Sequence, residues 1–188
     1  LSEIRVDAVL VQDLGVLRMA RRCFPDLPIH ASTQMAIHNA TGVRFCRQQG
    51  MTRAVLAREC SAAEIALAAK EGIEIEVFGH GAQCVAVSGE CLFSSMLGER
   101  SGNRGRCAQP CRLDFKSHGR GYALSLKDLT LTDRLRELEA LGVASFKIEG
   151  RLKRPEYVAA AVTACRQSLA GEVPDLETLQ SVFSRSGF

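Results

Sequence analysis

Tryptophan is absent from this 188-residue chain, and aromatic residues make up only 5% of it. The core is therefore expected to be aliphatic. No apolar run approaches the roughly 20 residues that a membrane-spanning helix needs, and no basic-then-apolar segment opens the chain as a secretory signal would. We expect no membrane partner and a cytoplasmic location.

A strong excess of charge is also lacking. The net charge is only +3, which by itself does not indicate nucleic-acid binding. Hydrophobic residues at 46% and charged residues at 24% are typical of an ordinary globular domain. The chain starts without methionine and stops just after a helical pattern, so we expect it to be a fragment.

Cysteine, by contrast, is concentrated. Four of the eight cysteines lie in a glycine-rich stretch, residues 76–112, separated by six, fifteen and three residues. They are Cys84, Cys91, Cys107 and Cys111. Glycines interrupt regular structure there, and so long a loop inside a compact domain needs something to hold it. Four thiolates around a metal centre would supply that constraint.

The spacing leaves the nature of the centre open. Scattered thiolates suit an iron–sulfur cluster, whereas zinc favours close pairs, which only Cys107 and Cys111 approach. Plain buried thiols are the other alternative, and disulfides are not expected because nothing indicates secretion. The remaining cysteines fall in or beside helical patterns and are expected to be small buried hydrophobic side chains. They are Cys23, Cys46, Cys60 and Cys165.

Apolar runs alternate with helical patterns along the chain. Strands are predicted at residues 7–12, 29–33, 53–57, 73–78, 122–126 and 144–148. Helices are predicted at residues 14–24, 35–49, 61–72, 131–141, 154–170 and from 176 onward. Ser61 and Glu64 predict a capping box for the third helix, and the first strand is predicted to be buried on both faces. Such alternation predicts a parallel sheet with helices outside.

Polar side chains follow several of these strands, as they do at the carboxyl ends of the strands in (β/α) barrels. Five or six strands are too few to close an eight-stranded barrel. The expected fold is therefore α/β, a fragment of a TIM-type (β/α) barrel with parallel strands and outer helices, plus the Cys-rich loop. An open doubly wound sheet is the alternative. A barrel fragment exposes a sheet edge, through which we expect it to dimerise.

Two histidines are candidates for chemistry. His80, just after the fourth predicted strand and four residues before Cys84, is a candidate catalytic acid–base group. His30 and Gln34, near the end of the second strand, are candidate substrate-binding residues. A packed loop histidine is the alternative in both places, and His38 and His118 are expected to be surface residues.

Opposite charges adjoin two other strand ends, where Arg58 precedes Glu59 and Glu149 precedes Arg151. The arginines are candidates for holding a carboxylate substrate through paired hydrogen bonds, and the glutamates are candidate catalytic groups. A plain ion-pair network is the alternative. Lys147, also a candidate catalytic residue, is two positions from Glu149 in one strand, so both are predicted to face the barrel interior.

Six basic residues fall within residues 100–120, with only Glu99 and Asp114 as nearby acids. Arg104 is our candidate for RNA contact, because arginine neutralises phosphates, and a solvated charged loop is the alternative. Only Phe93 and Phe115 offer aromatic rings there, which weakens a base-stacking platform.

Several strings carry a likeness to a known family: EVFGHGAQCVAVSGECLFSS, RSGNRGRCAQPCR and SFKIEGRLKRPEYV. With the earlier IHASTQM and VLARE, they resemble peptidase family U32, the collagenase-like proteases, over nearly the whole chain. The resemblance implies a barrel whose first strands precede Leu1 and a further segment after Phe188. Residues 1–170 would be the C-terminal part of that barrel, with the iron–sulfur loop at 79–116, and residues 171–188 would begin a following helical segment.

The resemblance also implies chemistry. Some family members carry a [4Fe–4S] cluster on positions matching Cys84, Cys91, Cys107 and Cys111, and hydroxylate a pyrimidine in tRNA or rRNA with prephenate as co-substrate. An iron–sulfur RNA hydroxylase is therefore expected, with the cluster lost or replaced by zinc in air. The alternatives are a collagenase-like peptidase acting on peptides and a non-catalytic iron–sulfur scaffold. Since neither a nucleophile elbow nor HExxH is present, hydroxylation is favoured over proteolysis.

Overall fold

The structure, a computed structural model, describes residues 5–88, 90–150 and 153–182. Its strands are β1 (Val9–Val11), β2 (Ile29–Ala31), β3 (Arg53–Val55), β4 (Glu74–Ala82), β5 (Asp128–Thr130) and β6 (Ser145–Glu149). Its α-helices are α1 (Leu14–Cys23), α2 (Ala40–Gln48), α3 (Ala62–Ala68), α4 (Phe93–Gly98), α5 (Leu135–Ala140), α6 (Pro155–Ala170) and α7 (Leu176–Val182). Contacts divide the chain into two units, residues 1–77 with 137–146 and residues 78–136 with 147–188.

The first unit is a parallel sheet in the order β1, β2, β3, β4, with β6 also paired to β4. One cross-strand row is fully buried and lies on the core side. It consists of Val11, Ala31, Ala54 and Ile75. Helix α1 packs beside β1 and α2 beside β3. A mainly parallel sheet with outer helices is confirmed, whereas closure of a barrel and the domain boundary at residue 170 stay predictions.

The next row, on the opposite face, is polar except for Leu10. It runs from Leu10 through His30 and Arg53 to Glu74. Arg53 is ion-paired to Glu74 at 2.6 Å and to Glu76 at 3.2 Å. The prediction that the first strand is buried on both faces is wrong, because Leu10 is 52% exposed.

Local capping explains where the helices begin. Ser61 and Glu64 form the predicted capping box of α3, with both hydrogen bonds present. The second predicted helix begins later than expected, at Ala40, because Ala36 adopts a left-handed conformation with φ 52°. The Asn39 side chain then accepts from the Gly42 N–H and caps the helix.

The second unit contains an antiparallel pair. Strand β5 pairs with the end of β4, His80 opposite Thr130 and Ala82 opposite Asp128. The strand predicted at 122–126 is therefore wrong in position, and the sheet is not wholly parallel. Because β5 supplies this partner, β4 continues to Ala82, and His80 lies within the strand rather than after it.

Helices α6 and α7 form the apolar core of the second unit. It is built from Tyr157, Ala161, Ala164 and Leu179, with Ile148 and Leu176 packed against it. Helix α6 occupies nearly its predicted range, with Pro155 in its first turn. No helix in the described part of the chain is long and apolar enough to cross a membrane.

Candidate functional site

The four loop cysteines share one neighbourhood in the second unit. Burial raises the pKa of the Cys111 thiol, the positive charge of Arg112 opposes this, and negative charge on the other three thiols raises it further. Those three are Cys84, Cys107 and Cys91. The thiols of the other three cysteines therefore lie within electrostatic range of Cys111. Within the described ranges, no group of three or more His, Cys, Asp or Glu residues is arranged to hold a metal ion.

Arg112 ties the two ends of the cysteine loop together. Its Nη2 donates to the carbonyl of Gln83 at 2.9 Å, directly before Cys84. Its Nη1 donates to Ser125 Oγ at 2.8 Å and to the Leu126 carbonyl at 2.6 Å. Since Arg112 directly follows Cys111, these bonds bring the first and last cysteines of the loop close together.

The thiols fit an iron–sulfur cluster as a donor set. Four cysteine thiolates are its usual ligands, and soft sulfur donors suit iron–sulfur centres. Cys107 Sγ already accepts a hydrogen bond from the Gln109 N–H at 3.3 Å. Of the other cysteines, Cys46 and Cys165 are buried as predicted, while Cys23 is exposed and Cys60 half-buried.

His80 is fully buried beside Tyr157. Its Nδ1 lies 2.8 Å from the Tyr157 hydroxyl, which in turn donates to the carbonyl of Glu149 at 3.1 Å. A phenol has one hydrogen, so Nδ1 of His80 must be the donor to Tyr157. Burial lowers the pKa of His80 to about 4, so the ring is neutral at neutral pH. Its catalytic role stays a prediction.

Asp128 and Lys153 are two ionisable residues whose charges influence each other. Burial raises the pKa of Asp128, and the positive charges of Lys153 and Arg112 oppose that shift. Burial lowers the pKa of Lys153, opposed by the negative charges of Asp128 and Glu149. Burial also raises the pKa of Tyr157, and the charges of Asp128 and Glu149 add to the effect. Asp128 lies opposite Ala82 at the end of β4, next to the start of the cysteine loop.

Alternate residues of β6 face opposite ways, as predicted. Ser145 Oγ donates to Glu76 at 3.0 Å on the polar face, and Lys147 Nζ lies 5.9 Å from the ring centroid of Phe78. Ile148 instead packs against the α6 core. Lys147 and Glu149 therefore share the polar face, and their catalytic roles remain predictions.

Four other predicted site residues belong to the first unit. His30 is half-buried beside Arg53 in the sheet register, and Gln34 Oε1 is buried with no hydrogen-bond partner among the described residues. Arg58 is half-buried and Glu59 is exposed just after β3. The sheet register brings none of these four opposite another.

Arg104 is exposed on the loop after α4, as binding to a phosphate requires. His38 and His118 are exposed, as predicted. Arg151 lies outside the described residues.

The sequence reasoning missed Asp128, Lys153, Tyr157 and the tether formed by Arg112. Lys153 and Tyr157 stand inside the string SFKIEGRLKRPEYV, so a signal for them was present. No sequence signal indicated Asp128, because its position depends on β5, which was not predicted.

Comparison with known proteins gives the chain a family context. The model of peptidase family U32 matches residues 1–179. The chain is similar to a tRNA hydroxylation protein P1 of Bacillus subtilis, 37% identical over 94% of this chain and 46% of the relative. It is also similar to a 23S rRNA 5-hydroxycytidine synthase of Escherichia coli, 41% identical over 90% of this chain and 27% of the relative.

A third relative carries a different name. It is a collagenase of Porphyromonas gingivalis, 34% identical over 88% of this chain and 44% of the relative. The chain thus spans less than half the length of each of these three relatives. No solved structure matches it.

Proposed function

The chain belongs to peptidase family U32, and from that premise we propose that it is part of an RNA base hydroxylase acting on a pyrimidine of tRNA or rRNA. Two of its relatives are named for tRNA hydroxylation and for 5-hydroxycytidine synthesis in rRNA. The observation that carries the proposal is the buried carboxyl group of Asp128, which β5 places opposite Ala82, directly before the cysteine loop that Arg112 ties to Gln83.

Asp128, Lys153 and Tyr157 suit proton transfer to or from a nucleobase. Hydroxylation of a ring carbon needs an oxygen-donating co-substrate that also takes up two electrons, and the hydrogen of the ring carbon leaves as a proton, so a nearby group must accept that proton. Lys153, with its lowered pKa, and Asp128, with its raised pKa, are each brought toward neutral pH, where acid–base groups work best. His80 would hold Tyr157 in place through its 2.8 Å hydrogen bond, and Tyr157 would fix the end of β6.

We assign a [4Fe–4S] cluster to Cys84, Cys91, Cys107 and Cys111. When bound, such a cluster supplies one-electron transfer. The positive charges of Lys153 and Arg112 near Asp128 would suit a carboxylate co-substrate such as prephenate. The parallel sheet with outer helices supports part of a (β/α) barrel, with these groups at the carboxyl ends of β4 and β6.

The activity is tested with the full-length enzyme in a strain that lacks it. Nucleosides from tRNA and rRNA are compared by mass spectrometry for the gain of one oxygen atom on a pyrimidine. We expect the wild-type gene to restore the modified nucleoside, and Lys153→Met and Asp128→Asn to lose it. Lys70→Met, on the exposed surface of the first unit, is the matched control. Unchanged RNA together with peptide hydrolysis by the purified enzyme would establish the peptidase alternative instead.

The cluster is tested separately by anaerobic reconstitution. Thiolate-to-iron charge transfer should give broad absorption near about 400 nm. Cys84→Ser should remove most of it, while Cys165→Ser, a buried cysteine outside the loop, should not. Equal iron loading of these two variants would contradict the ligand assignment without bearing on the RNA activity.

Proteolysis is the weaker candidate function despite the collagenase relative. A cysteine nucleophile needs a depressed pKa to be ionised at neutral pH. Burial instead raises the pKa of Cys46 and Cys60 to about 11 each. The buried His80 has its Nδ1 committed to Tyr157 rather than to a serine or cysteine.

A further inference from the structure

Helix α4, in the middle of the cysteine loop, presents large apolar side chains to solvent. Met96 is 81% exposed and Leu97 60% exposed, and Leu92, directly before the helix, is 62% exposed. Single exposed apolar residues are ordinary, but a group of them on one short element usually marks a binding surface. This surface, Leu92 with Met96 and Leu97, is here called the α4 tip.

Buried contacts fix the rest of the helix to the loop. Ser94 is 3% exposed, and its Oγ accepts a hydrogen bond from the Ala108 N–H at 2.9 Å. The Phe93 ring packs against Phe115 with centroids 5.7 Å apart. The helix is therefore held with its tip outward. Because the two phenyl rings pack against each other, they are not available to a partner. The apolar side chains that remain exposed on this element are those of the tip.

The positive charge of the chain is concentrated directly after this tip. Residues 99–120 contain six basic and two acidic side chains, whereas the remainder of the chain contains 18 basic and 19 acidic ones. Arg104 and Arg106 are exposed, and Arg100 Nε donates to the Arg106 carbonyl at 3.0 Å, which shapes the loop. An apolar tip flanked by arginines is complementary to nucleic acid, because phosphates meet the charges while base faces meet the apolar side chains.

We propose that the α4 tip is a wedge that the enzyme inserts between the bases of its RNA. Met96 and Leu97 would pack between or against bases, and Arg104 and Arg106 would bind the flanking phosphates. Apolar side chains, including Leu and Met, unstack bases when they enter a nucleic acid. Enzymes that act on a base ring need that base out of the stack. The inference rests on the proposed function and adds the element that binds the RNA and the way it does so.

The test uses the full-length enzyme and a synthetic RNA hairpin whose loop carries 2-aminopurine next to a pyrimidine. Unstacking of 2-aminopurine raises its fluorescence. We expect the wild-type enzyme to raise the signal at saturation. The double variant Met96→Ala with Leu97→Ala should abolish most of that rise and bind about ten-fold more weakly, the scale of removing the burial of one large apolar side chain. The salt dependence of RNA binding by this double variant should equal that of the wild type.

The arginines should behave in the opposite way. Arg104→Gln with Arg106→Gln should flatten the salt dependence of binding by about one unit for each phosphate that is no longer neutralised. At saturating protein the fluorescence rise should remain. The separation of these two effects distinguishes a wedge from purely electrostatic binding.

Matched controls come from the first unit. Leu14 and Leu67 are 43% and 56% exposed on α1 and α3, so Leu14→Ala with Leu67→Ala removes similar apolar surface elsewhere. Arg18→Gln with Arg22→Gln, both exposed on α1, removes the same charge. Both controls should match the wild type in affinity and fluorescence.

Two outcomes would overturn the wedge alone. One is a Met96/Leu97 double variant that unstacks the hairpin as strongly as its control. The other is a loss of protein self-association in that variant with RNA binding unchanged, which would identify the tip as a protein interface. If the wild-type enzyme neither binds the hairpin at low salt nor modifies RNA in the cell, the proposed function itself fails. Hydroxylation that survives in the tip variant rejects only the wedge.

Discussion

His80 illustrates how burial changes what a histidine can do. Its side chain is 0% exposed, and its Nδ1 donates to Tyr157. A charged imidazole is disfavoured there because no solvent stabilises it. The ring therefore acts as a neutral hydrogen-bond donor that connects β4 to α6. Protonation of His80 destabilises the folded state.

Acid should consequently destabilise the second unit through His80. The pKa of about 4 in the folded state is below the roughly 6.5 of an exposed histidine. A depressed pKa means that the stabilisation is complete above about pH 6.5 and is lost as pH falls toward about 4, because the unfolded state binds the proton first. We expect the free energy of unfolding to fall by about 3 kcal/mol across that window.

Denaturant titrations of wild type and His80→Gln at both ends of the window check this expectation. The variant should be less stable at neutral pH, because it lacks the native hydrogen bond with Tyr157, but its stability should depend less on pH. His118→Gln, at an exposed histidine, should follow the wild type. An equal pH dependence in the His80→Gln and wild-type proteins would contradict the assignment.

Gly81 is required by a close approach. Its φ is +128°, and a Cβ there would lie 2.6 Å from the Glu149 carbonyl oxygen. That oxygen also accepts the Tyr157 hydroxyl hydrogen bond. Gly81→Ala should therefore destabilise the protein by about 3 kcal/mol or more, through a backbone clash and an unfavourable φ. The readout is the midpoint of thermal unfolding.

Gly98→Ala is the matched control for that substitution. No atom lies within 4 Å of a Cβ at Gly98, which ends α4. Alanine there should be neutral or slightly stabilising. Similar decreases in stability for the two substitutions would mean that Gly81 is not constrained by Glu149.

Side-chain hydrogen bonds hold the cysteine loop, residues 79–116, to the segments on either side of its cysteines. Arg112 alone links it to Gln83, Ser125 and Leu126. We expect Arg112→Lys to free the loop, because one ammonium group cannot reach all three acceptors. Cleavage by chymotrypsin within the loop should increase, and iron uptake on anaerobic reconstitution should fall several-fold. Arg120→Lys, at an exposed arginine that follows the loop, should change neither, and equal cleavage of the two variants would exclude the tether.

Elements with local signals were predictable from the sequence. The Ser61–Glu64 capping box and the helix at Pro155–Ala170 are determined by neighbouring residues, and both occur as predicted. Strand β5 was not predictable, because Asp128–Thr130 is defined by pairing with His80–Ala82, far away in the chain. The buried hydrogen bond of His80 with Tyr157 joins residues 77 positions apart, so no local pattern could indicate it.

At the scale of the whole molecule, alternation of strands and helices was enough to predict a mainly parallel sheet with outer helices. It could not determine whether that sheet belongs to a closed barrel. Candidate site residues were found where a charge or thiol stood in a recognisable string, such as Cys84 or Glu149. Asp128 lay outside any such string, and its place in the site follows from tertiary pairing alone.

Strand β1 gives the last prediction, which concerns association of the 188-residue chain. It pairs with β2 on one side, and its Leu10 is 52% exposed. Beside it lies an apolar groove of about 500 Å³ whose lining includes Val9, Val16 and Met19. An open strand edge next to apolar surface favours pairing with a second copy. We therefore expect concentration-dependent dimers in sedimentation velocity, and we expect Leu10→Lys to shift them to monomers by placing a charge at the edge. Leu169→Lys, at a 39% exposed leucine on α6, should leave the dimer intact, and a wild-type monomer at high concentration would exclude pairing through β1.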